Sequence, residues 1–397
     1  MAEASAIPAV IPARATGAAL AANLVGVGLA RFGYTPLIPA LIVAGWFAPS
    51  EAVYLGAANL AGYLGGALGV RRLATRFGAP AILRWSMAVT TASLVACAFP
   101  LGFGWFFLWR FLSGCTGGAL MALAAPAVMP HVPPGRRGLA GGAIFTGVGL
   151  GIAASGTLVP LLMPWGLTTT WLGLGATAAL LTALAWSNWP EAMVSTAPPS
   201  YAIAEAPSGP ALRALYVEYA LNAVGLVPHM VFLVDFVARG LGRGLHEAAQ
   251  YWIVFGVGAL AGPMVGGYLG DRIGFGRALR LAFLVQALCV ALPLTTTAAP
   301  VLLLSSFVVG AFVPGIVAVM IGRTHELLPG DPGRQAAAWG LCTTAFAIGQ
   351  AVAGYGFSYI FAHSENGYPS LFLLAAGALL LALAVDLAFG KTPRLRL

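Results

Sequence analysis

LAGGAIFTGVGLGIAASGTLVPLLM, residues 139–163, decides the fold class. It runs 25 residues without one charged side chain. A bilayer core of about 30 Å is crossed by about 20 apolar residues as helix, or by about 9–11 as strand. A barrel strand alternates lipid-facing apolar with lumen-facing polar residues. This stretch does not alternate, so it reads as a spanning helix. The runs 83–99 and 371–387 have the same character, each with a single charge.

The rest of the 397-residue chain agrees. Apolar residues make up 59% and charged residues 8%, against about 45–50% and about 25% in soluble domains. Mean hydropathy is +0.89. So few charges cannot cover a water-facing surface, which excludes soluble domains and leaves an all-α integral membrane protein. Splitting at charged, Gly and Pro clusters predicts twelve transmembrane helices: 17–44, 51–70, 80–99, 104–128, 138–163, 168–188, 212–238, 247–270, 278–297, 300–322, 335–361 and 368–389.

Of the 20 Lys and Arg, 16 fall on one side of these spans, Arg239 and Arg243 on the other, and Arg31 and Arg110 inside. Basic loops face the cytoplasm, so both termini are expected there, in an inner-membrane, multi-pass protein. The net charge of +8 is then a topology signal rather than a nucleic-acid surface. The first apolar run is too long for a signal peptide's core, so no cleaved leader is expected. Cys97, Cys115, Cys289 and Cys342 sit in spans at unrelated spacings and suggest no disulfide framework.

One connection is long and Pro-rich, STAPPSYAIAEAPSGP at 195–210. It divides the chain into a six-helix bundle over 1–190, a cytoplasmic linker over 191–211 and a second six-helix bundle over 212–397. The halves repeat. Adding 200 carries Gly56, Leu60, Ala61, Gly62, Gly66 and Arg72 onto Gly256, Leu260, Ala261, Gly262, Gly266 and Arg272. Adding 198 carries Gly135, Arg136, Gly142, Gly151 and Gly156 onto Gly333, Arg334, Gly340, Gly349 and Gly354. Two pseudo-symmetric halves are a transporter architecture, with the solute held at the midplane between them.

At these residues the chain resembles the Major Facilitator Superfamily over nearly its whole length. GGYLGDRIGFGR (266–277) is similar to the family's loop motif, RFLSGCTGGAL (110–120) to its span-four motif, and GLARFGYTPLIP (28–39) to the YbfB/YjiJ-type branch. The resemblance implies a conformational latch at Gly267, Asp271 and Arg272. The matching first-half loop, GGALGVRRLATRFG (65–78), has no acid; Val70 or Arg71 stands in the place of Asp271.

Other chemistry is missing. Lys391 is the only lysine, so there is no phosphate-binding loop of the Gly-rich, Lys-ending kind. No HExxH, CxxC or helical His pair occurs, so no metal, cofactor or catalytic residue is expected. Met230 and Met264 lack the paired spacing of a copper site. Transport would then draw on a gradient of solute or protons.

Intramembrane polar groups are costly and mark function or structure. Arg31 could hold an anionic substrate through its planar donor fork, or tie carbonyls freed by Pro36 and Pro39. Arg110 is a substrate group, a coupling group as the resemblance implies, or an interhelical anchor. On span seven Glu218, Asn222, Gly225 and His229 share one helical face. His229 could exchange protons, could bind substrate together with Asn222, or could simply bond a neighbouring helix. Glu218 and Asp235 are further proton-coupling candidates, Asp235 also a partner for Arg239. Tyr34, Asn59, Gln350 and Tyr355 complete the substrate-binding set, with Tyr63 and Trp339 as cavity aromatics; Gln286 is expected at the periphery. The reading is a monomeric, proton-coupled carrier of a small organic anion such as a carboxylate. A proton-coupled exporter of amphipathic drug-like compounds and a non-transporting membrane sensor or assembly partner are the other readings.

Overall fold

The computed structural model describes residues 10–133, 136–190, 208–364 and 367–390. Helix α1 begins at Val10–Asn23 and continues through a π-wound segment Leu24–Leu29, a 3-10 segment Phe32–Leu37 and a last turn Ile38–Val43. Then follow α2 (Pro49–Phe77), α3 (Ala79–Ala96), α4 (Phe103–Val128), α5 (Arg137–Leu162) and α6 (Leu167–Ala185). Helix α7 comprises Pro210–Val227, π-wound Pro228–Phe232, Leu233–Asp235 and π-wound Phe236–Gly240. The rest are α8 (Gly244–Ile273), α9 (Phe275–Thr295), α10 (Ala299–Leu327), α11 (Pro332–His363) and α12 (Gly367–Phe389). By length and composition eleven of these rods could cross a membrane alone; α3, 18 residues long and carrying Arg84, is the other. The linker residues 191–207, the N-terminal nine residues and the C-terminal basic residues from Lys391 lie outside the described residues.

Several boundaries differ from the sequence expectation, most of them at the basic end. Helix α2 continues seven residues past 70 and carries Arg71, Arg72 and Arg76 on helix rather than loop. Helix α10 likewise continues to Leu327, and Arg323, expected at the membrane surface, is only 3% exposed. Its guanidinium donates to Glu326 at 2.9 Å and to the Gly390 carbonyl. The Glu326 carboxylate in turn accepts from the backbone N–H of Phe275 (2.7 Å) and Gly276 (3.2 Å). These are unpaired donors of the first turn of α9, where a negative charge is favourable. A loop-like charge thus became a packed helix cap.

Within each half, α2 packs on α4 and α8 on α10 through glycines that admit backbone contact. A Cβ on Gly62 would lie 2.1 Å from the Phe111 carbonyl oxygen, and one on Gly66 1.9 Å from that of Cys115. A Cβ on Gly258 would lie 2.0 Å from the Phe307 oxygen, and one on Gly262 1.8 Å from that of Ala311. These four pairs are related by adding 196, not 200. The tight turns agree: Gly78 has φ 81° and ψ 143°, Gly274 φ 84° and ψ 145°. The register of the repeat in this region is therefore one helical turn away from the one read by identity. Glycine-rich helices offer several matches one turn apart, and only the packing partner separates them. In the corrected register Thr75, not Val70 or Arg71, stands in the place of Asp271, and the first-half loop still has no acid.

Candidate functional site

The two helices that meet at the centre, α1 and α7, are both irregular there. Pro36 sits inside the 3-10 segment of α1, and Pro228 opens the first π segment of α7. Neither residue can donate a backbone hydrogen bond, so regular winding breaks at both. Such breaks free main-chain groups for other partners. Thr35 of α1 donates to the Met230 carbonyl of α7 at 2.5 Å. Arg110 of α4 donates to the Ala30 carbonyl where π winding gives way to 3-10. Arg110 thus ties a span-one carbonyl to α4.

Arg110 is 2% exposed and lies over the Tyr34 ring, 4.2 Å from its centroid. Tyr34 is held by its hydroxyl, which donates to the Ala52 carbonyl at 2.8 Å. Asn59 reaches the Arg110 carbonyl (3.1 Å) and the Ser113 hydroxyl (3.3 Å). Arg31 is only partly buried, flanked by the rings of Phe32 and Tyr63 at 5.2 and 5.1 Å. Its Nη2 crosses between the halves to the Oε1 of Gln350 on α11, at 2.8 Å. Arg31, Tyr34, Asn59, Arg110 and Met230 line one cavity of about 20 Å³, space for about one water molecule. The Nε atoms of both arginines are buried without a partner. No carboxylate pairs with either guanidinium among the described residues.

The rest of the expected set lies elsewhere. The stripe on α7 faces the interior of the second half, not the arginine cavity. Gly225 abuts Leu379 of α12. Asn222 donates to Gln286 of α9 at 2.7 Å, and Gln286 is fully buried within the second half, away from the arginine cavity. His229 is fully buried, with Nε2 2.8 Å from the Ser305 hydroxyl of α10 and its ring edge-on to Phe372. Ser305 spends its proton on the Cys289 carbonyl at 2.6 Å. His229 Nε2 must then be the donor, and Nδ1 an acceptor without a partner. Asp235 pairs with Arg239 at 3.2 Å and accepts from the Tyr368 hydroxyl at 2.6 Å. Tyr355 is partly exposed beside Tyr54 of the other half, ring centroids 6.3 Å apart.

Glu218 is 1% exposed and lies within electrostatic reach of Asp386, Arg323 and Arg280. Asp386, itself 1% exposed, forms an ion pair with Arg280. Sequence reasoning passed over this group, although Asp386 is the one charge in an apolar 17-residue run. Such a residue needs a partner by energetics alone. Ser305 carried no comparable signal, since an intrahelical bond can satisfy a lone hydroxyl in a span.

The halves touch in the portion remote from the basic ends. Gly156 meets Ile253, Gly256 meets Ala153, and Gly354 meets Ala57. Trp252 donates to the Ser155 hydroxyl at 3.1 Å. Nearer the basic ends of the same helices, Gly69, Gly142 and Gly267 have open space where a Cβ would stand. Asp271 and Arg272 are exposed, and the Arg272 guanidinium lies 5.2 Å over the ring of Tyr268 in its own helix.

Comparisons with known proteins agree with this geometry. The family model described as "Uncharacterised MFS-type transporter YbfB" matches residues 23–387. A Haemophilus influenzae protein named "Putative metabolite transport protein" is 24% identical over 331 residues, 78% of each chain. Among solved structures, a D-xylose–proton symporter superposes with a TM-score of 0.74 at 18% identity, covering 95% of this chain and 97% of its own. A bacterial homologue of the human lysosomal transporter Spinster, inward-facing and unoccupied, gives 0.70 at 17% identity, covering 97% and 95%. At such identities the two structures speak for the fold alone. With twelve rods in two repeated halves and a family match over nearly all of its length, the chain belongs to the YbfB-type family of Major Facilitator Superfamily transporters and is not an enzyme.

Proposed function

We propose that the protein carries a small organic anion, such as a carboxylate, by proton-coupled alternating access, as a monomer in the inner membrane. The observation that carries the reading is the convergence of Arg31 and Arg110 on one cavity with no carboxylate against either. The first half holds only two acids in 190 residues, Glu3 and Glu51. Glu51 is spent at the outer end of α2, where it accepts from the Ala48 N–H at 2.9 Å. Two cations in a low-dielectric site repel each other, and an anion with two oxygens offsets that repulsion while matching the guanidinium fork.

Alternating access draws support from the cross-half contacts. With the termini cytoplasmic, contacts between the halves remote from the basic ends fit an inward-facing state. Gly267, Asp271 and Arg272 then form their latch only when those ends meet. Proton coupling is assigned to α7, with His229, Glu218 and Asp235 as its candidates. His229 lies in the π segment whose Met230 carbonyl holds Thr35 of α1, so a charge change there acts on the join between halves. An exporter reading would need acids facing the cavity, whereas Asp235 pairs with Arg239, and Glu218 lies near Asp386, Arg323 and Arg280 within the second half.

The test is flux into liposomes containing only this protein. Radiolabelled carboxylates are expected to accumulate under an inward pH gradient, and Arg31→Gln to abolish uptake with folded yield intact. Uptake unchanged in Arg31→Gln would overturn the anion reading. His229→Ala is expected to lose gradient-driven accumulation and to keep counterflow exchange; retained accumulation would remove His229 from the coupling.

A further inference from the structure

We infer that Gln350 is a built-in stand-in for the substrate's oxyanion: its amide oxygen occupies Arg31 in this structure, and the incoming anion displaces it. This rests on the anion reading above and goes beyond it, because it assigns Gln350 a competing role rather than a binding one.

The partners of the amide are unequal. Its oxygen takes a guanidinium proton at 2.8 Å, while its nitrogen finds only the Met230 sulfur, at 3.8 Å. A thioether is a weak acceptor, so nothing strong holds Gln350 where it is except Arg31. The two also differ in access. Gln350 is 2% exposed and lies within the join, whereas Arg31 is only partly buried and lines the cavity. An amide offers Arg31 one neutral acceptor, and the guanidinium Nε is left unpaired. A carboxylate offers two charged oxygens in the geometry of the fork, and such charge-assisted bonds are about twice as strong as neutral ones. The exchange therefore runs in favour of the anion.

Its consequence is mechanical. Arg31 belongs to α1 and Gln350 to α11, so displacement breaks a hydrogen bond between the two halves. One turn further along the same face of α11, Gly354 sits against Ala57 of α2. Met230, the other partner of Gln350, gives its carbonyl to Thr35. Occupation of Arg31 thus loosens α11 from α1, and only a ligand with such differential contacts can shift the equilibrium between states.

The experiment is a titration of the purified full-length protein in lipid nanodiscs with formate and, separately, inorganic sulfate, read by calorimetry. Gln350→Leu is expected to bind formate about tenfold more tightly than the natural protein, because no internal ligand has to leave. Gln350→Glu, which supplies Arg31 with a carboxylate from the chain itself, is expected to bind about a hundredfold more weakly. Weaker binding in Gln350→Leu would overturn the proposal and make the amide a ligand of the substrate. Unchanged binding in Gln350→Glu would overturn it as well. Gln350→Met is read by the same criterion if the leucine variant fails to give monodisperse protein. If the natural protein binds neither probe, the anion reading itself falls. If it binds and Arg31→Gln does not, that reading stands and the two Gln350 variants alone decide the inference.

Discussion

The guanidinium of Arg110 lies 4.2 Å from the centroid of the Tyr34 ring while donating to the Ala30 carbonyl. One side chain on α4 therefore fixes both the backbone break of α1 and the aromatic wall of the cavity. A desolvated cation–π contact contributes about 2 kcal/mol. Tyr34→Phe keeps the ring and loses one hydrogen bond, so it should lower stability by about 1 kcal/mol and leave anion binding near its natural value. Tyr34→Leu removes the ring and should weaken binding about tenfold or more. Calorimetric titration with a bound carboxylate checks both; equal affinity in the two variants would remove the ring from the site.

The glycine contacts between paired helices set a second expectation. A methyl group at Gly66 or Gly262 would be driven into a carbonyl oxygen at 1.9 or 1.8 Å. Backbone cannot give way as a side-chain tip can. Gly66→Ala and Gly262→Ala should each cost at least about 1–3 kcal/mol and sharply reduce the monodisperse fraction on size-exclusion chromatography. Gly69→Ala, on the same helix with open space around it, should behave as the natural protein.

The closed end can be trapped. A Cβ on Gly354 would stand 3.5 Å from the Cβ of Ala57, within the range of about 3.5–4.5 Å that a disulfide requires. The pair Ala57→Cys and Gly354→Cys should cross-link under mild oxidation and stop transport, and reductant should restore it. Cross-linking that leaves flux unchanged would show that these contacts persist throughout the transport cycle.

Arg280 and Asp386 form an ion pair in which the acid is 1% exposed and the base about a third. Removing the base strands a buried carboxylate, at a cost of about 3 kcal/mol or more. Arg280→Ala should therefore lower the melting temperature markedly. The double variant with Asp386→Asn should recover most of the loss, since no charge is then left unpaired. Additive losses in the double variant would mean that the two groups act separately.

How much of this was legible in the chain depends on the range of the physics involved. Bilayer partition acts residue by residue, so the apolar run 139–163 made the spans legible directly, while the one-sided arginines set an expected topology. Intramembrane charge is also a local signal, and it singled out Arg31, Arg110 and the groups on α7. What those groups touch is a question of helix azimuth. Arg31 faces Gln350, 319 residues away in sequence, whereas His229 turns inward to Ser305. Both lie mid-span, and nothing in the spacing separates them.

The repeat makes the same point. Identity paired Gly62 with Gly262, while packing pairs it with Gly258. One turn of helix restores nearly the same face, so a sequence rich in glycine leaves the register open by four residues. By itself the sequence determined a helical membrane protein of two related halves, because hydrophobic transfer and basic-loop bias need no partner to be felt. Only the tertiary structure decided the register of those halves, which polar groups share a cavity, and where along the helices the halves touch. Each of these is set by contacts between helices far apart in the chain, where steric fit and hydrogen-bond geometry choose among faces that local energetics leaves equivalent.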